Sequence, residues 1–572
     1  MDTLKRFAIY AGIVIVAVLV LIHLADTDLL AAAVLVLVIG SFAGWWIWRR
    51  TVGDPAAPPQ TRALAMRWRT QFGLRPGKGF ASVFELCHRF SRTAAVFHGR
   101  NVRPSWSWRQ RLLAPAVAYS IYIGRAQLRK RVFVPGETSV LVIATQQTGK
   151  SEWAKTVILS APGPVLATDT KGTVYTDTAP LRALLGNLHV FNPMLVAGIT
   201  PSFRWNLISG CASSMTAARR GKALVGPDNG DGDMIFWKSL AAGAMGALLH
   251  AADLSGATIL DVLSWIDDTA QAQKILDTHP RAEHAFLTVF KRIAAVNSRQ
   301  AESIRTTMIE SVQWAIHECA RDAVTPGPDG GIDLARFVSG SSDTIYLIAG
   351  DSTGAGVTAP LMRCLIEEIH WIAGLEASRQ PGRRKRLDPQ LVICGDEITK
   401  VAPVPLVEFS ADSAGRGILL IAIVQSYGQL EEHYGIGGAA AIWQNCATKV
   451  LFGKSTEVPL LERLEKICDP VDITDGGSTR SVPAVPAAFV RRLPTGRALL
   501  ITGDLSPVIV RAAQARKRKD VKKAGPAPVM PPVRAEGPAV VTSPLRAYIP
   551  EPVKAITNGN GRSNSKNGAH HD

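Results

Sequence analysis

The stretch VLVIATQQTGKS, residues 140–151, constrains the fold more tightly than any other part of the chain. It reads as an apolar strand, Val140 to Ile143, running into a phosphate-binding loop of the pattern G-x-x-x-x-G-K-[ST]. That pattern requires a strand, a loop of inward-pointing backbone N–H groups and a helix starting beneath the phosphates. Ala144, Thr145, Gln146, Gln147 and Thr148 supply the loop, and Gly149 permits close backbone approach. Lys150 is placed to reach the β- and γ-phosphates of ATP, and Ser151 to offer its hydroxyl to Mg2+. The opening glycine of the pattern is Ala144 here. Alanine serves there if its φ is negative, because only a positive φ demands glycine.

A lone G-K-S is weak, so the rest of the site must be found elsewhere. LVICGDEI, residues 391–398, supplies a second apolar strand that ends in two acids. Asp396 would hold Mg2+ through its coordinated waters, and Glu397 would orient and deprotonate the attacking water. Taken alone, the same letters describe an ordinary strand ending in a polar turn; paired with G-K-S in an α/β pattern, they describe the second half of a nucleotide site. A further strand, Ile418 to Val424, ends at Gln425, whose neutral amide can report on a γ-phosphate or simply cap the next helix. Arg416, between two glycines, is either a trans-acting arginine, worth about 10³ to 10⁵ in rate, or a turn residue.

From the loop onward, short apolar runs alternate with helical stretches, the signature of an α/β sheet covered by helices. Strands are expected at 140–143, 165–168, 189–191, 344–348, 391–394, 418–424, 449–452 and 498–501. Between them, FWKSLAAGAMGALLHAADL and AESIRTTMIESVQWAIHECA carry apolar residues at helical spacing, which points to an all-helical insertion over 207–332. The nucleotide-binding domain is then split into 136–206 and 333–514.

Two apolar runs open the chain, Phe7 to Ala25 and Leu29 to Trp48, each about 20 residues and long enough to span a bilayer. Lys5, Arg6, Arg49 and Arg50 flank them, so residues 1–50 read as a transmembrane hairpin with both ends and the bulk of the chain in the cytoplasm. The competing reading, a cleaved signal peptide, lacks a small-residue cleavage site before the second run. Residues 51–135 form a linker and a basic membrane-proximal region, where RPSWSWRQR could stack on nucleic acid, lie on the bilayer or simply pack at a domain edge. The seven cysteines show no C-x-x-C spacing and the 12 histidines no H-E-x-x-H, which speaks for reduced core thiols and against a zinc site. A net charge of +17 suits a nucleic-acid or anionic-lipid partner without choosing between them. Residues 515–572, rich in Lys, Arg, Pro, Gly and Asn, read as a disordered basic tail.

In this order the motifs resemble a family, the VirD4/TraG-type coupling proteins of conjugation and type IV secretion. The resemblance runs from Val140 to Arg511 through GKS, ATDTKGTVYTDTA, FNP, FRWNLISGC, the FWKSLAAG helix, CGDEI, QSYGQLEEHYG and NCATKVLFG, and QSxxQLxxxYG is its most specific element. Ala144 departs from the family pattern, as does Thr173, where many relatives carry an acid after Lys-Gly. The resemblance implies a RecA-like P-loop ATPase core, a homo-hexameric ring beneath the inner membrane, which the hairpin crosses to make the protein multi-pass, and coupling of ATP hydrolysis to substrate transfer through a secretion channel. It also implies partners: single-stranded DNA with its relaxase, or an effector protein, and the components of the secretion channel, with the helical insertion facing the incoming cargo. Two other readings stay open, a septal double-stranded DNA pump of the FtsK/SpoIIIE type and a docking receptor that does not hydrolyse ATP.

Overall fold

Val140 to Ile143 are all buried, and they alternate between two cores: Leu141 and Ile143 pack into one, Val140 and Val142 into the other. A strand that is apolar on both faces needs helices on both faces, which is the condition inside a parallel sheet. Ile418 to Val424 obeys the same rule, with Leu420, Ala422 and Val424 on one side and Leu419, Ile421 and Ile423 on the other. Each large aliphatic side chain buried in this way contributes about 1.5–3 kcal/mol.

A computed structural model describes residue 40 and residues 59–530, apart from 228–231, 326–330, 351–354, 382 and 476–477. The hairpin expected over 1–50 therefore lies outside the described residues, Gly40 excepted. The strands are β1 (Ser120–Arg125), β2 (Arg131–Pro135), β3 (Val140–Ile143), β4 (Val165–Asp169), β5 (Leu188–Phe191), β6 (Thr344–Ile348), β7 (Leu391–Asp396), β8 (Ile418–Val424), β9 (Thr448–Phe452), β10 (Val471–Asp475), β11 (Ser478–Val482), β12 (Arg497–Thr502) and β13 (Val508–Ala512). Eleven of them make one sheet in the order β2-β1-β13-β12-β9-β3-β8-β7-β4-β6-β5, while β10 and β11 pair separately. From β9 to β5 every pairing is parallel; from β9 through β12, β13 and β1 to β2 every pairing is antiparallel. The fold is thus a mixed α/β core around one large sheet.

All eight expected strands are present, and the sheet is wider than the sequence suggested. β1 and β2 come from the region read as linker and membrane-proximal, and β13 closes the gap between them and β12. The expected boundary of the tail at 515 also moves. Ala515–Lys517 and Lys519–Lys523 are helical, Arg518 donates to Ser160 Oγ at 2.9 Å, and the Tyr175 hydroxyl donates to the Pro528 carbonyl at 2.5 Å. In RPSWSWRQR, Arg103 lies over the Trp106 ring and pairs with Asp388 at 2.6 Å, while Trp108 is exposed.

Every described element between Ser214 and Val338 is a helix. The long helix Gly232–Ser255 packs against Ser214–Val225 at a contact too close for side chains, since a Cβ on Gly221 would meet the Gly246 nitrogen at 2.5 Å. Small residues in GAMGALL allow that approach, and Leu248, Leu249, Ala251 and Ala252 are fully buried. Among the described residues only Met234–Ser255 has the length and apolarity to cross a membrane, and more than half of its apolar window is buried in this bundle. Arg220 ties the bundle to the sheet domain: it donates to the Leu207 and Ser209 carbonyls and meets Glu368 on Ala355–Arg379 at 3.2 Å.

Candidate nucleotide site

β3, β8 and β7 lie side by side and parallel, so the segments that follow them share one edge of the sheet. Ligands of open α/β sheets sit at this carboxyl edge. The loop 144–149 leaves β3 here and the helix Lys150–Ser160 begins from it. Gly149 takes φ +101, a backbone that a side chain would strain. Ala144 has no positive φ; it is 1% exposed, packs in the core and donates its N–H to the Val424 carbonyl. The condition for alanine at the opening position is therefore met. Gln147 takes φ +57, and the Thr148 hydroxyl donates to the Thr145 carbonyl at 2.7 Å. A backbone bond from Gly496 N to the Thr148 carbonyl fastens the loop to the start of β12.

The acids come from the end of β7. Glu397 adopts φ +54, a left-handed conformation costing about 1–2 kcal/mol for a residue with a Cβ. Its carbonyl accepts from Lys400 and Val401, so a short helix holds the turn. That turn sends Glu397 back toward the loop, where its Oε1 lies 2.8 Å from Lys150 Nζ and accepts from Gln425 Nε2 at 2.9 Å. Ser151 Oγ donates to Asp396 Oδ2 at 2.8 Å, and Lys150 lies 3.7 Å from Asp396 Oδ1. Burial raises the Asp396 pKa, more than Lys150 and Ser151 lower it. Burial acts the same way on Glu397, but there hydrogen bonding and charge from Lys150, with the Gln425 amide, hold the carboxyl below its usual range.

The residues fit ATP with Mg2+. Asp396 Oδ1 is buried without a hydrogen-bond donor, next to a serine hydroxyl, and hard oxygen ligands of this kind suit Mg2+. The loop ends in a glycine whose open Cα face has Gly496 as its nearest neighbour, at 3.6 Å from where a Cβ would sit. Among the described residues no group of three His, Cys, Asp or Glu forms a separate metal cluster.

Lys150, Ser151, Asp396, Glu397 and Gln425 are thus brought together, with residues 144–149 around them. Arg416 is not. It ends the helix Leu406–Arg416, pairs with Asp412 at 2.6 Å and precedes β8, so the whole strand separates it from Gln425. At roughly 3.3 Å per residue that strand is about 20 Å long, beyond the reach of one side chain.

Three supporting residues escaped the sequence reading. Thr168 donates to the Asp396 carbonyl at 2.8 Å, and its place at the end of β4 was the available signal. Glu457 accepts from Tyr427 N and Gly428 N, placing a carboxylate at the start of Gly428–Asn445, and no local pattern announces it. Asp169 accepts from the backbone of Lys171, Val174 and Tyr175, so it supplies the anion at the start of Thr173–Arg182 despite Thr173 lacking one.

The most specific sequence element has a structural reason at each position. In QSYGQLEEHYG, Gln429 Oε1 accepts from Gln425 N at 2.9 Å, Ser426 Oγ accepts from Gln429 N, and Leu430 is buried. The Tyr434 hydroxyl donates to the Val404 carbonyl, and Gly435 takes φ +70.

A family described as the TraM recognition site of TraD and TraG matches residues 390–483. The plasmid coupling protein TrwB, in complex with the non-hydrolysable GTP analogue GDPNP, matches with a TM-score of 0.54 and 15% identity, covering 71% of this chain and 91% of that one. The resemblance to VirD4/TraG-type coupling proteins is thereby shown. The unbound monoclinic form of the conjugative coupling protein TrwBdeltaN70 gives 0.53, 14%, 73% and 93% for the same four quantities. TrwB with ADP and Mg2+ gives 0.51, 14%, 71% and 91%. No curated protein matches this sequence. At such identities the solved coupling proteins establish a common fold, and the matched segment 390–483 carries β7, Glu397, β8 and Gln425 of the site.

Proposed function

We propose that this chain is a membrane-anchored coupling ATPase that recruits DNA, or DNA joined to a relaxase, and uses ATP hydrolysis to drive it through a type IV secretion or conjugation channel. The convergence of Lys150, Ser151, Asp396, Glu397 and Gln425 at one sheet edge carries the reading. In it, the backbone of 144–149 cradles the phosphates, Lys150 neutralises the β- and γ-oxygens, and Ser151 and Asp396 would hold Mg2+. The bound ion contributes Lewis-acid polarisation and charge neutralisation. Glu397, ionised at neutral pH, takes the proton of the attacking water, and Gln425 senses the γ-phosphate from the neighbouring strand end. An incoming phosphate draws Lys150 away from Glu397, which frees Oε1 to act as the base.

The net charge of +17 supports an anionic cargo, and the TraM-recognition description of 390–483 supports a relaxosome-type partner docking on that segment. Arg416, out of reach of its own site, is proposed to act on that of a neighbouring copy in a homo-hexameric ring beneath the inner membrane. The helical insertion would then face the cargo and residues 1–50 would anchor the ring as a multi-pass hairpin. The test is ATP turnover by the full chain with and without single-stranded DNA. DNA-stimulated, Glu397-dependent turnover supports the motor; DNA binding with no Glu397-dependent turnover under oligomerising conditions leaves a docking receptor.

A further inference from the structure

Beside the phosphate loop, a cavity of about 550 Å³ is lined by Arg125, Arg129, Arg497, Arg511, Lys517 and Arg518, and among the described residues no acidic side chain lines it. Three of these arginines form a row across the sheet. Arg511 on β13 stands directly opposite Arg125 on β1 and directly opposite Arg497 on β12. Residues in register share a face, and like charges placed this way destabilise a sheet. Asp520 holds Arg518 at 2.6 Å, but among the described residues Arg125, Arg129, Arg497, Arg511 and Lys517 have no carboxylate within salt-bridge distance. Burial and the charge of Arg511 push the Arg497 guanidinium pKa down; Lys517 is lowered by burial and by Arg511, Arg516 and Lys522. Arg129 is presented from a left-handed backbone, φ +56, which follows another at Leu128. Among the described residues no carboxylate compensates this repulsion, and an anion would.

We propose that this cavity is a second anion site, taking the phosphate groups of a polyanion independently of Lys150. The two sites are mechanically joined. Gly496, next to Arg497, bonds the Thr148 carbonyl, and Arg516 N donates to Glu152 on the helix that follows the loop. The phosphate chemistry fits a free polyphosphate or a single-stranded nucleic acid, and the inference rests on the fold rather than on ATP hydrolysis.

The experiment uses the full chain in detergent, carrying Lys150→Ala to silence the loop, with two probes: inorganic tripolyphosphate and a fluorescein-labelled single-stranded oligonucleotide. At least one probe is expected to bind in that background, and adding Arg125→Gln with Arg511→Gln should weaken it about tenfold. For the oligonucleotide, the slope of log affinity against log salt should fall by about 1.4, the value for two lost phosphate contacts. Binding of tripolyphosphate alone would assign a free ligand; binding of the oligonucleotide, a strand. Relief of the arginine row should leave the melting temperature unchanged or raise it. Probe binding indifferent to the two arginines, binding abolished by Lys150→Ala alone, or a lowered melting temperature in the double variant would overturn the proposal.

Discussion

Lys150 Nζ lies 2.8 Å from Glu397 Oε1, and the same oxygen accepts the Gln425 amide at 2.9 Å. One carboxylate oxygen therefore receives both the ammonium of the loop lysine and the amide N–H of Gln425. In the proposed mechanism the ammonium turns from this carboxylate to a phosphate, so nucleotide binding and the release of Glu397 are a single exchange of partners.

Glu397→Gln keeps the shape and removes the base. ATP binding should persist while steady-state hydrolysis falls by about 10² to 10⁴, the usual contribution of a positioned base. Lys150→Ala should instead lose binding. Filter binding and phosphate release, measured side by side, separate the two; normal turnover by Glu397→Gln would remove the base assignment.

Gln425→Glu places a second carboxyl where the amide now lowers the Glu397 pKa. Like charge favours the protonated acid. In the wild type the acid limb should report the Glu397 carboxyl with the Gln425 amide still bonded and Lys150 withdrawn to the phosphate. In Gln425→Glu the acid limb should move to higher pH, whereas Gln425→Ala should lower the rate with a smaller shift. A pH–rate profile that is the same in all three would separate Gln425 from the base.

Asp396→Asn leaves the strand end intact and removes a charge that faces Ser151 and Lys150. Half-maximal activity should then need at least about tenfold more Mg2+, in line with the loss of a supporting carboxylate at a metal site. Ser151→Ala should act in the same direction. A Mg2+ titration identical to wild type would place the ion elsewhere.

How much of this was legible in the sequence depends on the range of the interaction. β3 and β8 are continuous apolar runs ending in polar punctuation, so both they and their functional ends could be read directly. β1, SIYIGR, and β2, RVFVP, carry arginines at their ends and lie in a basic stretch, and only pairing with β13, far along the chain, gives them a place. Glu397 was legible as an acid after a strand, but its left-handed turn was not, because a positive φ at a residue with a Cβ is not announced by residue type. Glu457 shows the limit: it serves Tyr427 and Gly428 from a different loop, a contact no local window contains.

The joint between the helical bundle and the sheet domain predicts a stability effect far from the nucleotide. Glu368 is 6% exposed, with Arg219 at 2.7 Å and Arg220 at 3.2 Å. Burial alone would raise its pKa, but the two guanidiniums outweigh that and lower it. Glu368→Ala leaves Arg220 buried without its carboxylate, at a cost of about 3–5 kcal/mol. At about 2.1 cal/mol/K of unfolding entropy per residue, a chain of this size should lose roughly 3–5 °C in melting temperature. A change within a degree would mean that water replaces the carboxylate.

Its neighbour Glu367 behaves in the opposite sense. Burial, only partly offset by Arg363, Arg219 and Lys222, raises its pKa to about 7. Between the ordinary carboxylate value and 7 the folded chain therefore keeps a proton that the unfolded chain gives up. The contribution of Glu367 to stability falls as pH rises through that window and is level above it. Glu367→Gln cannot lose the proton, so its advantage over the wild type should grow from pH 5 to pH 8, by about 1–3 kcal/mol. Comparing the variant with the wild type at each pH cancels groups common to both, such as His370, whose buried imidazole has a pKa lowered to about 4 and which costs stability as the medium is acidified. The measurement is the difference in melting temperature at the two pH values. A difference independent of pH would show that Glu367 is ionised in the folded protein, with Arg363 and Arg219 outweighing its burial.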